Sequence, residues 1–123
     1  MDLNKLSSVL IVAELSANHN GSLETAIETI KAAKRAGADA IKLQTYTADT
    51  ITLDTKRDDF LLKQGTIWEG KYLHDLYKQA FTPWEWHKQL FEFSKKQGLI
   101  CFSSPFDLTA VDFLESLENP IYK

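Results

Sequence analysis

The sequence predicts an α/β fold in which parallel strands are covered by helices, and three observations support this. Short apolar runs rich in β-branched residues alternate with amphipathic stretches of helical period. Only short loops separate a helix from the strand that follows it, as in a βαβ unit. The order β-α-β-insert-α-β-α-β fits an open doubly wound sheet or part of a barrel. A (β/α)8 barrel takes about 250 residues, so the 123 residues of this chain could supply roughly half of one.

The first strand and helix are marked by an apolar run and a capped amphipathic stretch. Val9 to Ala13 is a short run rich in β-branched side chains, and the polar residues after it predict a turn. Between Ser22 and Ala36 the apolar residues keep helical spacing, and Gly37 lies where a helix C-cap is expected. The first unit is therefore a strand followed by a helix.

The second strand, Ala38 to Thr45, has two chemically different faces. Its two-residue period places Ile41 and Leu43 on one face and Lys42 and Gln44 on the other. If the apolar face packs on the helices, the polar face points into the barrel near its mouth, where barrel enzymes have their active sites. The same spacing also fits an edge strand with a solvated lysine.

The rest of the chain continues the alternation after a long insert. Residues 46–70 are polar without a clear period, and connections of this length often form a lid or binding loop. Thr82, Pro83 and Glu85 predict a helix start, with the hydroxyl as N-cap and the glutamate closing a capping box. The other predicted elements are a short helix over Lys71 to Ala80, a strand over Leu99 to Ser103, a helix from its cap Asp107 to about Leu117, and a strand from Pro120.

Composition and charge exclude several classes of function. The chain is 44% hydrophobic and 25% charged, which is typical of one globular unit with a core. Its formal net charge is -3, and it lacks the concentrated basic face that a nucleic-acid partner requires. Cys101 is the only cysteine, no leader pattern begins the sequence, and no apolar run approaches the roughly 20 residues that span a bilayer. We expect a cytoplasmic protein without membrane or nucleic-acid partners.

Polar residues recur at the predicted ends of four consecutive strands. Parallel strands bring these ends to one mouth, so an acid, two ammonium groups and hydroxyls would surround a common space. This set suits an anionic, phosphorylated substrate, with lysines as charge partners and the carboxylate holding a sugar hydroxyl or moving a proton. The candidates are Glu14, Lys42, Gln44, Ser103, Ser104 and Lys123.

Other reactive residue types give weaker signals. Asn18 to Gly21 is typical of a turn, so His19 within it is weak evidence for a site. His74 and His87 lie in helical contexts without metal-ligand spacing, and we expect packed or surface histidines and no metal site. Cys101 lies inside an apolar strand, where an inert buried thiol is expected.

Several stretches of the sequence resemble the sialic acid synthase family. The family likeness rests on IVAELSANHNGS at residues 11–22 and AGADAIKLQTY at residues 36–46. Within that family the chain looks most like the pseudaminic acid synthase branch. The stretches that carry this second likeness are Trp68 to Gly70, Leu73 to Tyr77, Thr82 to His87, and Cys101 to Asp107.

The resemblance implies a fold, an assembly and a cofactor. The fold would be a TIM barrel, of which residues 1–123 are the N-terminal half. A small antifreeze-like domain would follow and, in a homodimer, close the partner's active site. The resemblance also implies Mn2+ or Mg2+, held by histidines on later strands and so by no residue of this chain.

The resemblance also implies a transferase reaction. Phosphoenolpyruvate would condense with an acylated amino sugar, 2,4-diacetamido-2,4,6-trideoxy-L-altrose, to give pseudaminic acid and phosphate. Glu14 matches the acid that contacts the sugar, while Lys42, Gln44 and Lys123 match positions around phosphoenolpyruvate. Glu14 and Lys42 are the implied catalytic residues, and the implied substrate-binding set is completed by Ser103, Ser104 and Asn18.

Two alternatives remain open from the sequence. A sister synthase that makes N-acetylneuraminic or legionaminic acid would use the same chemistry with another sugar. The 123 residues could also act as an inactive barrel fragment that only associates. Half a barrel has two open sheet edges and an uncovered core, so we expect association or poor stability of the isolated chain.

Overall fold

A computed structural model describes residues 7–63 and 65–123. Its centre is a parallel sheet of three strands, β1 (Val12–Glu14), β2 (Ala40–Thr45) and β3 (Ile100–Pro105), in the order β1-β2-β3. Tyr122 adds one parallel bridge to Ser103 on the far side of β3. The predicted fourth strand is thus represented by a single bridge, in the predicted place and direction.

Within residues 7–63 and 65–123, five α-helices connect and cover the strands. They are α1 (Leu23–Arg35), α2 (Ala48–Ile51), α3 (Leu73–Ala80), α4 (Trp84–Lys96) and α5 (Leu108–Ser116). The alternation of strands and helices confirms the predicted α/β class. Among the described residues, no helix has the length and apolarity to cross a bilayer.

The insert between β2 and α3 has more local structure than its sequence predicts. It contains α2, a 3-10 turn over Asp58–Phe60 and an antiparallel bridge between Leu61 and Tyr72. Nε2 of His74, a buried residue of α3, lies 2.8 Å from Oδ1 of Asp49 on α2. Side chains therefore tie the start of the insert back onto α3.

Gly37 at the end of α1 and Asp107 at the start of α5 confirm the predicted caps, and Ser22 adds an N-cap to α1 that was not predicted. The Ser22 hydroxyl accepts a hydrogen bond from the Thr25 amide, and an Asp107 oxygen accepts one from the Ala110 amide. Gly37 has φ +89°, the left-handed conformation in which a glycine ends a helix without steric cost. These signals are local, because each capping group lies within three residues of the amide that it binds.

The predicted capping box of α4 is wrong. The helix begins at Trp84 with Pro83 as its N-cap, and no side chain caps it. The Thr82 hydroxyl instead donates to the Ser16 carbonyl at 3.2 Å and lies 3.2 Å from His19 Nε2. A tertiary contact therefore takes the hydroxyl that the local pattern assigned to the cap.

The hydrophobic core lies between the helices and one face of the sheet, which we call the outer face. Ile41, Leu43 and Cys101 of the strands pack there with Ile30 of α1 and Leu90 of α4. Each such aliphatic side chain contributes about 1.5–3 kcal/mol of transfer free energy when fully buried. The predicted apolar side of β2 is confirmed, and this packing directs its alternate residues to the opposite, inner face.

Candidate active site

The inner face of the sheet carries an ion pair between β1 and β2. Glu14 and Lys42 are paired in the parallel register, so both side chains leave the sheet on the same side. Lys42 Nζ lies 3.3 Å from Glu14 Oε1. Lys42 is only 4% exposed, whereas the Glu14 side chain is 55% exposed. A buried ammonium thus faces a carboxylate that reaches solvent, an arrangement suited to recruiting a second anion.

The position of β2 decides between the two interpretations of Lys42. β2 lies between β1 and β3, so it is a central strand, and its lysine is buried. The edge-strand alternative is therefore wrong. Lysine is almost never fully buried unless it is paired, and Glu14 is the partner found here.

A second row of polar side chains lies one step further along the inner face. Gln44 and Ser104 are paired in the register of β2 and β3, and alternation places them on the side of Lys42. The buried Ser104 hydroxyl has no hydrogen-bond partner among residues 7–63 and 65–123. An unmade bond of this kind costs about 1–3 kcal/mol, which a ligand oxygen at this position would relieve.

Lys123 follows the same alternation. Tyr122 bridges to Ser103, and its hydroxyl bonds Glu115 of α5 at 2.6 Å, so its side chain lies on the outer side. Strand alternation, continued by one residue, would direct the exposed Lys123 to the inner side.

Ser103 does not face the ion pair, and the Asn18 side chain has a local partner. Ser103 is in register with the core residue Leu43 on the outer face, where its hydroxyl lies 2.7 Å from Thr45 Oγ1. Asn18 is exposed in the loop after β1, and its side-chain amide donates to the Leu15 carbonyl at 3.1 Å. The structure thus separates Ser103 from its neighbour Ser104 and gives Asn18 a local partner.

Two residues outside the candidate set, Thr45 and His87, are bonded to each other at the end of β2. Thr45 Oγ1 lies 2.8 Å from His87 Nε2, which links the end of β2 to α4. Burial lowers the pKa of His87 to about 4 and also lowers the pKa of His19. The sequence signal that could have found Thr45 is its position, one residue after the polar pair of β2.

Cys101 and the histidines behave as packed groups. Burial raises the pKa of the Cys101 thiol to about 12, so it is protonated and unreactive at neutral pH. His74 and His87 are both buried. In the part of the chain that the structure describes, no group of three His, Cys, Asp or Glu side chains is arranged to hold a metal ion.

A cleft on the described part of the chain lies away from the ion pair. It has a volume of about 650 Å³ and is formed by α4, β3 and the segment after α5, including Phe91, Cys101 and Pro120. Neither Glu14 nor Lys42 lines it. The inner face is the better candidate because it combines opposite charges with an unpaired buried hydroxyl.

Comparison with known proteins identifies the family. The NeuB family model matches residues 29–123. The chain belongs to the NeuB family. The resemblance found in the sequence is confirmed, and the matched region contains Lys42, Gln44 and Ser104 of the inner face.

Within the NeuB family the chain is similar to pseudaminic acid synthases. It is 52% identical over 122 residues to a pseudaminic acid synthase from Campylobacter jejuni, covering 99% of this chain and 35% of that protein. An N,N'-diacetyllegionaminic acid synthase from Legionella pneumophila is 37% identical over 107 residues, or 87% of this chain and 30% of its own length. The chain spans about a third of the length of these relatives.

A solved N-acetylneuraminic acid synthetase shares the fold. The chain superposes on an N-acetylneuraminic acid synthetase from Leptospira borgpetersenii, solved in complex with citrate, with a TM-score of 0.77 and 25% identity. The superposition covers 99% of this chain and 39% of that one. The three-stranded parallel sheet is therefore part of a TIM barrel rather than of an open doubly wound sheet.

Proposed function

We propose that this chain supplies the N-terminal part of the barrel of a pseudaminic acid synthase. The reaction condenses phosphoenolpyruvate with 2,4-diacetamido-2,4,6-trideoxy-L-altrose and gives pseudaminic acid and phosphate. The observation that carries the proposal is the buried Lys42 ammonium beside Glu14 on the inner face of the sheet. The choice of sugar rests on the 52% identity to a pseudaminic acid synthase, against 37% to a legionaminic acid synthase.

Lys42 is the proposed charge partner of phosphoenolpyruvate. The substrate carries a carboxylate and a phosphate, and an ammonium with little access to water binds such groups more strongly than an exposed one does. Ser104 and Gln44 stand in the next row as donors, since the buried Ser104 hydroxyl has no partner in the described chain. Lys123 provides a second positive charge on the same face.

Glu14 is the proposed contact of the amino sugar. Its carboxylate is half exposed, so it keeps lone pairs free to accept hydrogen bonds from sugar hydroxyl or amide groups. Its ion pair with Lys42 holds the carboxylate next to the proposed phosphoenolpyruvate position. One residue pair therefore orients both substrates, which lowers the barrier by positioning and electrostatics.

The proposed bond changes balance without a covalent enzyme intermediate. C3 of phosphoenolpyruvate attacks the sugar aldehyde as the C2–C3 and carbonyl π bonds break, and the aldehyde oxygen takes a proton to become a hydroxyl. Water adds to the cation formed at C2 and loses a proton, and phosphate leaves as the C2–O bond breaks. As the resemblance implies, the proposal includes Mn2+ or Mg2+ held by histidines on later strands of the barrel. A homodimer, as the resemblance implies, is part of the same proposal.

Phosphate release tests this function. We would use the product of the whole reading frame that contains this chain, and a chimaera in which residues 7–123 replace the matching segment of the Campylobacter jejuni relative. Each protein receives phosphoenolpyruvate, Mn2+ and either the altrose sugar or N-acetylmannosamine. Release with the altrose sugar alone supports the proposal. Preference for N-acetylmannosamine assigns the sister reaction, and release from neither sugar overturns the proposal.

A further inference from the structure

The first turn of α4 and the segment before it bind backbone groups just beyond the C-terminal ends of β1 and β2. The Thr82 hydroxyl donates to the Ser16 carbonyl beyond β1, and the Trp84 indole donates to the Tyr46 carbonyl beyond β2, both at 3.2 Å. His87, one turn into α4, reaches Thr45 at the end of β2. One short segment therefore holds the part of the sheet that carries the candidate site.

The contacts of His87 fix the direction of a hydrogen-bond chain. His87 Nδ1 lies 3.2 Å from the Pro83 carbonyl oxygen, which can only accept, so Nδ1 carries the proton. In the neutral ring Nε2 then accepts, and the donor at 2.8 Å is the Thr45 hydroxyl. Thr45 Oγ1 in turn accepts from the Ser103 hydroxyl at 2.7 Å.

This chain of hydrogen bonds is fully buried and fully paired. Thr45, Ser103 and His87 are each without exposed surface, and each hydroxyl or ring hydrogen has an acceptor. Burial lowers the pKa of His87 to about 4, which keeps the ring neutral and the direction unchanged at neutral pH. A buried polar network of this kind gives a single arrangement because any other leaves a group unpaired.

We infer that Thr45, Ser103 and His87 form a positioning relay for the substrate site. Thr45 directly follows Gln44, and Ser103 lies directly before Ser104, so the relay on the outer face fixes the backbone that aims those two side chains inward. A shift of one residue in the register between β2 and β3 would turn every side chain of the shifted strand to the opposite face. The inference rests on the proposed function, because it assigns these residues to the phosphoenolpyruvate side of that site.

Two substitutions of Thr45 test the relay. Thr45→Val keeps the shape of the side chain but removes its hydroxyl, whereas Thr45→Ser keeps the hydroxyl and removes the methyl group. In the product of the whole reading frame we expect Thr45→Val to weaken phosphoenolpyruvate binding about tenfold by calorimetry, and Thr45→Ser to bind within about twofold of wild type. Thr29→Val on α1, whose hydroxyl bonds the Thr25 carbonyl within the same helix, is the matched control and should not change binding.

The outcome that overturns the relay is specific. Thr45→Val that melts at a lower temperature but binds phosphoenolpyruvate within about twofold of wild type assigns the hydroxyls to stability alone. A proton on His87 Nε2 in nitrogen NMR spectra of the wild type would also overturn it, because the chain would then run the other way. A pyrrole-type Nδ1 with a pyridine-type Nε2 supports it.

Failure of the proposed function is distinguishable from failure of the relay. If the wild type does not bind phosphoenolpyruvate, the substrate assignment fails and the relay is judged by NMR alone. Shifts of the Gln44 and Ser104 amide signals in Thr45→Val, reversed in Thr45→Ser, then support a positioning relay. Unchanged signals at both residues overturn it.

Discussion

At the residue scale, burial rather than charge partners sets the protonation of two histidines. His87 and His19 are both without exposed surface, and burial is the largest cause of the lowered pKa of each. Each ring has a role for both nitrogens: His87 bonds Thr45 and the Pro83 carbonyl, and His19 bonds Thr82 and the Gly21 amide. Neutral imidazole is therefore the form that the fold requires.

The stability of the chain should consequently depend on pH. Unfolded His87 binds a proton near pH 6.5, but folded His87 binds one only near pH 4, so unfolding takes up a proton between these values. Stability from this group is complete above pH 6.5 and falls as the pH falls through the window, by up to about 3 kcal/mol. His19 acts in the same direction. Urea unfolding at pH 7, 5.5 and 4.5 measures the effect.

The matched variant for this prediction is His87→Gln, which removes the titrating ring. Its unfolding free energy should vary less with pH than that of the wild type, because the contribution of His87 is removed while that of His19 remains. A wild-type urea midpoint that is constant from pH 7 to pH 4.5 would contradict the account.

The serines of β3 show how far single residues could be predicted. The sequence around Ser103 and Ser104 reads ICFSSP, in which both faces carry an apolar residue and a serine. Periodicity therefore could not choose which hydroxyl points inward. The choice depends on the register with β2, where Leu43 in the core fixes the outer face. In β2 the faces differ, so the face that carries Lys42 was predictable, whereas its burial in a central strand was not.

At the element scale, local caps were predictable and tertiary contacts were not. Ser22 and Asp107 bind amides three residues away, so their sequence pattern contains the whole interaction. Thr82 has the same pattern, but its partners are Ser16 and His19, more than 60 residues away in the sequence. The proline was enough to predict where α4 begins, whereas the partners of Thr82 depend on the tertiary fold.

The cap of α5 gives a prediction for a whole element. Asp107 Oδ1 accepts from the Ala110 amide and the Thr109 hydroxyl, so Asp107→Ala should cost about 1 kcal/mol of unfolding free energy. Asp112→Ala, an exposed site on the same helix, should change it by less than about 0.5 kcal/mol. Urea unfolding compares the two variants. Equal losses would show that helix composition, and not the cap, stabilises α5.

At the scale of the whole molecule, the described sheet has an unpaired edge at β1. β1 lies at an edge of the described sheet, and Val9 and Ile11 next to it are 80% and 53% exposed. Exposed apolar residues beside an unpaired strand edge favour association with another chain. The exposed edge of β1 is therefore suited to pairing with a strand of another chain.

We therefore expect the 123-residue chain to self-associate as its concentration rises, measured by light scattering. Val9→Lys should weaken association by placing a charge at the strand edge. Leu108→Lys changes a residue that is 83% exposed at the start of α5 and serves as the control. A well-folded monomer at every concentration would show that the edge is not an association site.

The central claim is that the buried Lys42 ammonium binds phosphoenolpyruvate. The most direct test is calorimetric titration of phosphoenolpyruvate into the product of the whole reading frame and its Lys42→Ala variant, with Lys31→Ala on the surface of α1 as control. We predict that Lys42→Ala weakens binding by at least about 30-fold, which is expected on losing a buried charge partner, whereas Lys31→Ala leaves it unchanged. Equal affinity of the wild type and Lys42→Ala would contradict the account.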